Sequence, residues 1–350
     1  MTTSVAANPR PRLGQQIRTY AYWAAAIAII VPTVIWLGWE IATEPVLFFS
    51  SAVAGLSNGA LYALIALGYT LVYGIIELIN FAHGDLFMLG TLFSGLVLVT
   101  ILGQTVTGVS LVGWLSFILA LVAVAAFCAS INVTIEFFAY RRLRRAPKLA
   151  PLITAVGISF ILQWVGLKWN GSMQKTGWPS LLPQGALNIA GVEIRYTFFV
   201  VLAVTIPVLL LLTWVVTKTR AGKAMRATAQ DQDAARLMGI NVNRTISFTF
   251  AVGGALAGVA GVMYQQTIGT TRYDLGFQLG LVAFTAAVLG GIGNLPGAVL
   301  GGVLIGLIQG INDGVGLGQK YSATVVFTIL ILVMVFRPAG LLGSSVGEKV

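Results

Sequence analysis

The chain has 350 residues, of which 57% are hydrophobic and 9% charged, with a formal net charge of +10 and a single cysteine. A soluble domain carries roughly 25% charged residues, so composition argues against a soluble globular fold. Cys128 alone also excludes a disulfide within the chain and a metal site built from thiolates.

No charged residue lies in 19–39, 45–76, 86–135, 149–167, 196–217, 245–271, 275–312 or 321–336. A membrane-spanning helix needs about 20 apolar residues, and most of these gaps hold one. The longer run 86–135 is interrupted by Gly103-Gln104-Thr105-Val106-Thr107-Gly108, and 275–312 is interrupted at 291–296. The pattern predicts an all-α polytopic membrane protein with about ten transmembrane helices. The polar/apolar alternation of a membrane β-barrel is missing.

The chain opens with a polar tail, 1–18, followed by an apolar run over about 20–39 that reads as an uncleaved anchor instead of a signal peptide. With the N-terminus inside and ten crossings, the inner segments hold Arg10, Arg12, Arg18, Arg141, Arg142, Arg144, Arg145, Lys148, Lys218, Arg220, Lys223, Arg226, Arg236, Arg244, Arg337 and Lys349. Outside, Lys168, Lys175, Arg195, Arg272 and Lys320 are balanced by Glu40, Glu44, Glu193, Asp274 and Asp313. The whole net charge then falls on the cytoplasmic side, as the positive-inside rule asks. Anionic lipid, not nucleic acid, accounts for that basicity. The expected organisation is a cytoplasmic tail 1–18, a transmembrane domain 19–343 and a cytoplasmic tail 344–350 in a bacterial inner membrane.

The stretch 55–90 carries the first candidate site. Asn58, Tyr62, Tyr69, Tyr73 and Glu77 fall within about one third of a helix circumference. A polar, aromatic face on an apolar helix reads as a wall of a translocation path or as helix packing with interfacial Tyr rings. Asn80-Phe81-Ala82-His83-Gly84-Asp85 follows. Asn80 is placed to cap a new helix, and Asp85 in its first turn suits the helix dipole. A gate involving Glu77, His83 and Asp85 is the sharper alternative.

The outer loop near 170–195 reads as turns, from its Gly and Pro content. The inner segment 217–243 is the longest polar stretch between membrane helices. Its residues 221–238 are rich in helix formers, and Gly239 reads as the stop. Here Asp233-Ala234-Ala235-Arg236-Leu237-Met238-Gly239 resembles the acidic-Ala-Ala-xxx-Gly core of the cytoplasmic coupling helix in permeases of ATP-binding-cassette (ABC) importers. Small Ala234 and Ala235 would seat in a partner's groove, with Arg226, Asp231, Asp233 and Arg236 fixing register. A plain Ala-rich surface helix is the bland alternative. The Ile-x-Leu-Pro continuation of the maltose-type subclass is absent. No phosphate-cradling G-x-x-x-x-G-K-[ST] occurs in the chain, so ATP and its Mg belong to another polypeptide.

Late in the chain small residues recur at every fourth position: Gly293, Gly297, Gly301; Gly302, Gly306, Gly310, Gly314; Gly254, Gly258; Ala257, Gly261. Such rows let helix backbones approach closely, within the chain or against a partner subunit. A faint echo between 79–84 and 292–297 leaves a duplicated core open.

The stretch from Gly59-Ala60-Leu61-Tyr62 through Asn80-Phe81-Ala82-His83-Gly84-Asp85 resembles the signature of branched-chain amino acid ABC transporter permeases, LivH type. So do Tyr140-Arg141-Arg142-Leu143-Arg144, Ala150-Pro151-Leu152-Ile153, the run 222–244, the run 283–293 and Arg337-Pro338-Ala339-Gly340-Leu341-Leu342-Gly343. The resemblance covers about 48–343 and implies an ABC importer permease bundle that moves amino acids by alternating access. Relatives that carry urea or short amides are the alternative within the family. It further implies a second related permease, two cytoplasmic ATPase subunits and an external solute-binding protein. A stand-alone secondary transporter or channel would more often carry charged coupling residues deep in the bundle. An intramembrane enzyme would need a catalytic constellation that one His and scattered acids do not supply.

Overall fold

The computed structural model describes residue 28 and residues 31–104, 108–144, 146–147, 149–170 and 176–343. The tails 1–18 and 344–350, most of the first apolar run, and Arg145, Lys148 and Lys175 lie outside these residues.

Among the described residues, α1 covers 31–43, α2 Pro45–Ile76, α3 Ala82–Gly95 and α4 Leu111–Ile135. Helix α5 spans Leu149–Asn170, α6 Tyr196–Lys218, α7 Arg220–Gln230, α8 Gln232–Leu237, α9 Val242–Ile268, α10 Leu275–Gly290, α11 Leu295–Gly314 and α12 Ser322–Phe336. Helix α3 runs on through a wider turn to Ile101, and α4 likewise to Leu143. Eight of these helices, α12 taken together with the turn Gln319–Tyr321 that leads into it, are long and apolar enough to cross a membrane; α10, with 16 residues, is shorter. At 1.5 Å per residue α10 is about 24 Å long, against a hydrocarbon core of about 30 Å. Both helix breaks expected from the sequence are present: Gly103 turns left-handed after α3, and Gly291 and Gly293 do so between α10 and α11.

The glycine rows are consumed inside the chain. Helices α2 and α11 lie antiparallel, with Gly55 and Gly59 against the backbone of Gly302, Gly306 and Gly310. A Cβ on Gly254 would lie 2.6 Å from the Cys128 carbonyl, and one on Gly258 2.7 Å from that of Val124, so α9 presses directly on α4. Close backbone approach substitutes for the hydrophobic drive that lipid cannot supply. Helices α2, α3 and α9 form the buried centre, whereas α6 and α12 expose most of their surface.

Two short pairings fix the loop between α5 and α6. Strand β1 (Thr176–Gly177) pairs antiparallel with β4 (Thr270–Thr271), and β2 (Ala186–Ile189) with β3 (Val192–Arg195). Between them Leu181 and Leu182 are buried. The Leu181 amide donates to Gln266 Oε1 at 2.7 Å, and Ser180 Oγ to the Gln266 carbonyl at 2.9 Å. The loop is therefore a lid packed on the end of α9. At the other end the last residues return to the α10–α11 turn: the Leu341 and Leu342 amides donate to the Leu289 and Gly290 carbonyls at 2.8 and 3.0 Å. Asn294 Nδ2 closes that strap on the Leu342 carbonyl at 2.7 Å.

Candidate transport path and coupling surface

The connection after α2 does not stay at the end of the bundle. Glu77 adopts a left-handed conformation (φ 52°) and stops the helix. Residues 77–81 then climb back beside α2, so that the His83 ring lies against Gly68. Gly68 is eight residues before Ile76, which places the start of α3 about 12 Å inside the end of α2. Non-helical backbone at such depth is tolerated only where protein or a cavity covers it. Here the Tyr140 hydroxyl supplies cover by donating to Asn80 Oδ1 at 2.8 Å.

This geometry corrects the expected cap. Asn80 does not cap α3 with its side chain; Phe81 holds that position without a side-chain bond. The Asn80 carbonyl does accept from the His83 amide at 3.1 Å. Asp85 sits in the first turn as expected. It is fully buried and accepts from Ser159 Oγ of α5, while Gln163 Nε2 donates to that same Oγ at 3.2 Å.

The predicted face of α2 is divided. Asn58 lines a cavity of about 870 Å³ at one end, with Glu44, Glu193, Arg195 and Thr197. Tyr73 and Glu77 line a second, of about 530 Å³, at the other end, with Glu136, Tyr140, Arg144 and Gln232. Between them the face is closed. Tyr62 is buried and donates to Gln309 Oε1 of α11 at 2.9 Å. Tyr69 is buried edge-on to His83, with ring centroids 4.9 Å apart. The middle of the α2 face is thus packed core, and only its two ends meet open space.

The second cavity adjoins an ion cluster that sequence reading did not single out. Glu136 is fully buried near the end of α4. It receives Arg141 Nη2 at 3.0 Å, the Arg144 guanidinium, and Ser247 Oγ at 2.6 Å. Arg144 Nη1 also donates to Asn243 Oδ1 at 2.7 Å, so the cluster ties α4 to α9. Burial lowers the Arg144 pKa from its ordinary value, and the Glu136 charge opposes that shift. The spacing of Glu136, Arg141 and Arg144 after an apolar run was the available signal.

Gln232, from the polar segment after α6, also lines this cavity. The single helix expected over 221–238 is two. Asp231 is extended (φ −156°, ψ 116°) and caps α8, accepting from the Asp233 and Ala234 amides at 2.8 and 3.0 Å. Arg226 is also used internally, donating to the Val216 carbonyl at the end of α6. Gly239 (φ 81°) ends α8 as expected. Ala235 is buried against its own chain, contrary to the expectation that it seats in a partner. The outward face holds Asp233, Ala234, Arg236, Leu237 and Met238. Leu237 and Met238 are 89% and 82% exposed, and Arg236 Nη1 meets Asp233 Oδ1 at 2.5 Å.

Residues 51–335 match the family model described as branched-chain amino acid transport system / permease component. The high-affinity branched-chain amino acid transport system permease protein BraD of Pseudomonas aeruginosa is 42% identical over 313 residues, covering 87% of this chain and 98% of BraD. The corresponding protein LivH of Escherichia coli K12 is 38% identical over 307 residues, with the same coverage of both chains. A more distant likeness joins the autoinducer 2 import system permease protein LsrC of an Enterobacter species, 30% identical over 165 residues and 45% of each chain. With a multi-pass bundle and a family match running from α2 into α12, the chain belongs to the permease family of branched-chain amino acid ABC transport systems, as a transport subunit whose ATPase is a separate polypeptide.

Proposed function

We propose that this permease carries branched-chain amino acids inward across a bacterial inner membrane, with both termini in the cytoplasm. The observation that carries the reading is the match to BraD and LivH over nearly their whole length. Cargo would come from an external solute-binding protein, and a second, related permease would complete the channel. Two cytoplasmic ATPase subunits would bind ATP and Mg and drive alternating access.

In this reading the coupling contact is the outward face of α8. Asp233, Ala234, Leu237 and Met238 leave the chain there, next to the cavity bounded by Glu77 and Gln232. Large apolar side chains exposed on an otherwise polar segment mark a protein contact more readily than a solvated surface. Glu136 and its arginines would transmit displacement of α8 and α9 to α4. Asn58 at one cavity, and Tyr73 and Glu77 at the other, would border the path. Tyr62, Tyr69, Asn80, His83 and Asp85 would hold the broken helix that separates the two.

The test is uptake of labelled leucine by membrane vesicles containing the permease pair, the ATPases and the binding protein. ATP-dependent accumulation, competed by isoleucine and valine, is the expected result. Accumulation without ATP, or competition only by urea or short amides, would overturn the reading.

A further inference from the structure

The exposed surfaces of most outer helices are uniformly apolar, as lipid requires; Leu210, Leu211 and Trp214 on α6 and Ile153 and Ile161 on α5 are examples. Helix α10 departs from this. Asp274, Phe277, Gln278, Leu281 and Phe284 recur at spacings of three and four, so they form one stripe. Phe277 and Gln278 are exposed and the other three half-buried, while Gly276, Gly280, Val282, Ala283 and Thr285 are buried.

The stripe lies deep. Helix α10 ends at the strapped turn at 291, and Gln278 is twelve residues, about 18 Å, before that end. In a core of about 30 Å this is near the middle. Just before α10, Thr271 is hydrogen-bonded to Thr91 (2.5 Å) halfway along the span Ala82–Ile101. The Arg272–Asp274 ion pair therefore also starts below the helix ends, with side chains 37% and 26% exposed. Gln278 makes no hydrogen bond with the described residues. An exposed primary amide at this depth is costly against hydrocarbon, and polar groups there face a water-filled cavity or another protein.

We infer that the α10 stripe lines the transport path and that Gln278 contacts the polar head of the amino acid in transit. The amide offers two donors and an acceptor, which suit the α-carboxylate and α-ammonium groups together. Phe277 and Phe284 flank it with apolar surface for an aliphatic side chain. Towards the basic end, Phe284 meets Phe81 of the re-entrant segment with centroids 5.9 Å apart and Tyr69 at 6.1 Å, so the aromatic part of the stripe adjoins the broken helix. The cargo class rests on the proposed function; the water-facing position does not.

The experiment uses the complete transporter in membrane vesicles, with Gln278→Cys and, as a lipid-facing control, Leu210→Cys. Cys128 is fully buried and serves as a silent internal thiol. A cationic, membrane-impermeant methanethiosulfonate reagent should modify the Gln278→Cys thiol at least about tenfold faster than the Leu210→Cys thiol, and saturating leucine should slow it several-fold. Equal, slow rates would place the stripe in lipid. Disulfide-linked dimers, or rapid labelling that leucine leaves unchanged, would make it a subunit contact or a bare water surface. Any of these outcomes overturns the inference. Should the cysteine variant not assemble, uptake by Gln278→Leu and Gln278→Asn decides. A raised KM for leucine in Gln278→Leu, partly restored in Gln278→Asn, is expected; wild-type uptake in Gln278→Leu overturns the inference. Wild-type vesicles that take up no leucine would sink the cargo assignment while leaving the labelling rates interpretable.

Discussion

The Tyr140 hydroxyl reaches across from α4 to Asn80 Oδ1 at 2.8 Å, joining two residues sixty positions apart in the sequence. Both groups are buried, and Tyr140 also packs on Phe250 of α9 with centroids 5.7 Å apart. The bond pins non-helical backbone in the bundle interior, and through Phe250 it connects α4, α9 and the α2–α3 break. Phe250 and Tyr140 both line the cavity at the basic end. The wall of that cavity and the anchor of the broken helix are therefore the same side chains.

Tyr140→Phe keeps the ring packing and removes one hydroxyl. It leaves the Asn80 side-chain Oδ1 buried without its partner, at a cost of about 1–3 kcal/mol. The expected outcome is a lower melting temperature of the detergent-solubilised protein and slower uptake. An unchanged melting temperature would show that the bond does not hold the break in place.

Gly306 tests the packing of α2 on α11. A Cβ there would run into the Gly59 backbone and lie 2.5 Å from the Gly55 carbonyl oxygen. Neither is a flexible side-chain end, so Gly306→Val must push the helices apart, costing about 1–3 kcal/mol or more. Gly157 on α5 has nothing within 4 Å of its Cβ position. Gly157→Ala should be neutral or gain about 0.5–1 kcal/mol through helix propensity. Thermal stability of the two purified variants checks the contrast; similar losses in both would contradict the packing described.

Most spans could be read from the sequence because lipid forces the backbone into helices and keeps charges at their ends. Gly103 and the Gly291–Gly293 turn were legible for the same reason: only glycine takes those dihedrals cheaply. The re-entry at 77–81 was not, because Leu78, Ile79 and Phe81 are as apolar as the helices around them. Periodicity placed Asn58, Tyr62, Tyr69, Tyr73 and Glu77 on one face; the first four lie on α2 and Glu77 just past its end, and periodicity cannot report what covers a face. Gln309 and Phe284 cover its middle, and they lie more than two hundred residues away. Asp231 read as a charge that fixes the register of one Ala-rich helix on a partner. Its side chain instead competes for backbone amides and splits that helix in two. Ala234 and Ala235 looked equivalent as letters, but neighbours on a helix point about 100° apart, and only one points outward.

Glu136 should be the most sensitive charge at the basic end. Removing it in Glu136→Ala leaves Arg144, whose side chain is 13% exposed, without its counter-charge. Breaking a buried pair in this way costs about 3–5 kcal/mol. Glu136→Gln retains the shape and some hydrogen bonds and should lose less. The expected order of melting temperature is wild type, Glu136→Gln, Glu136→Ala. An Ala variant as stable as wild type would mean that water satisfies the arginines and that the cluster carries little of the α4–α9 contact.

The two alanines of α8 separate folding from coupling. Ala235 is buried against its own chain, so Ala235→Arg should destabilise the permease itself and reduce the amount recovered from membranes. Ala234 is exposed beside Leu237 and Met238. Ala234→Arg should therefore yield a stable permease at normal levels that no longer retains the ATPase on co-purification and does not support ATP-driven uptake. Leu237→Ala should weaken retention by roughly 1–2 kcal/mol, the scale of an interface side chain with a substantial contact. Full retention by Ala234→Arg would remove this face from the coupling contact and shift attention to α7, whose exposed Lys223 and Arg226 are the next charged groups at that end. Loss of permease in Ala234→Arg as severe as in Ala235→Arg would show instead that both faces of α8 are packed in the assembled protein.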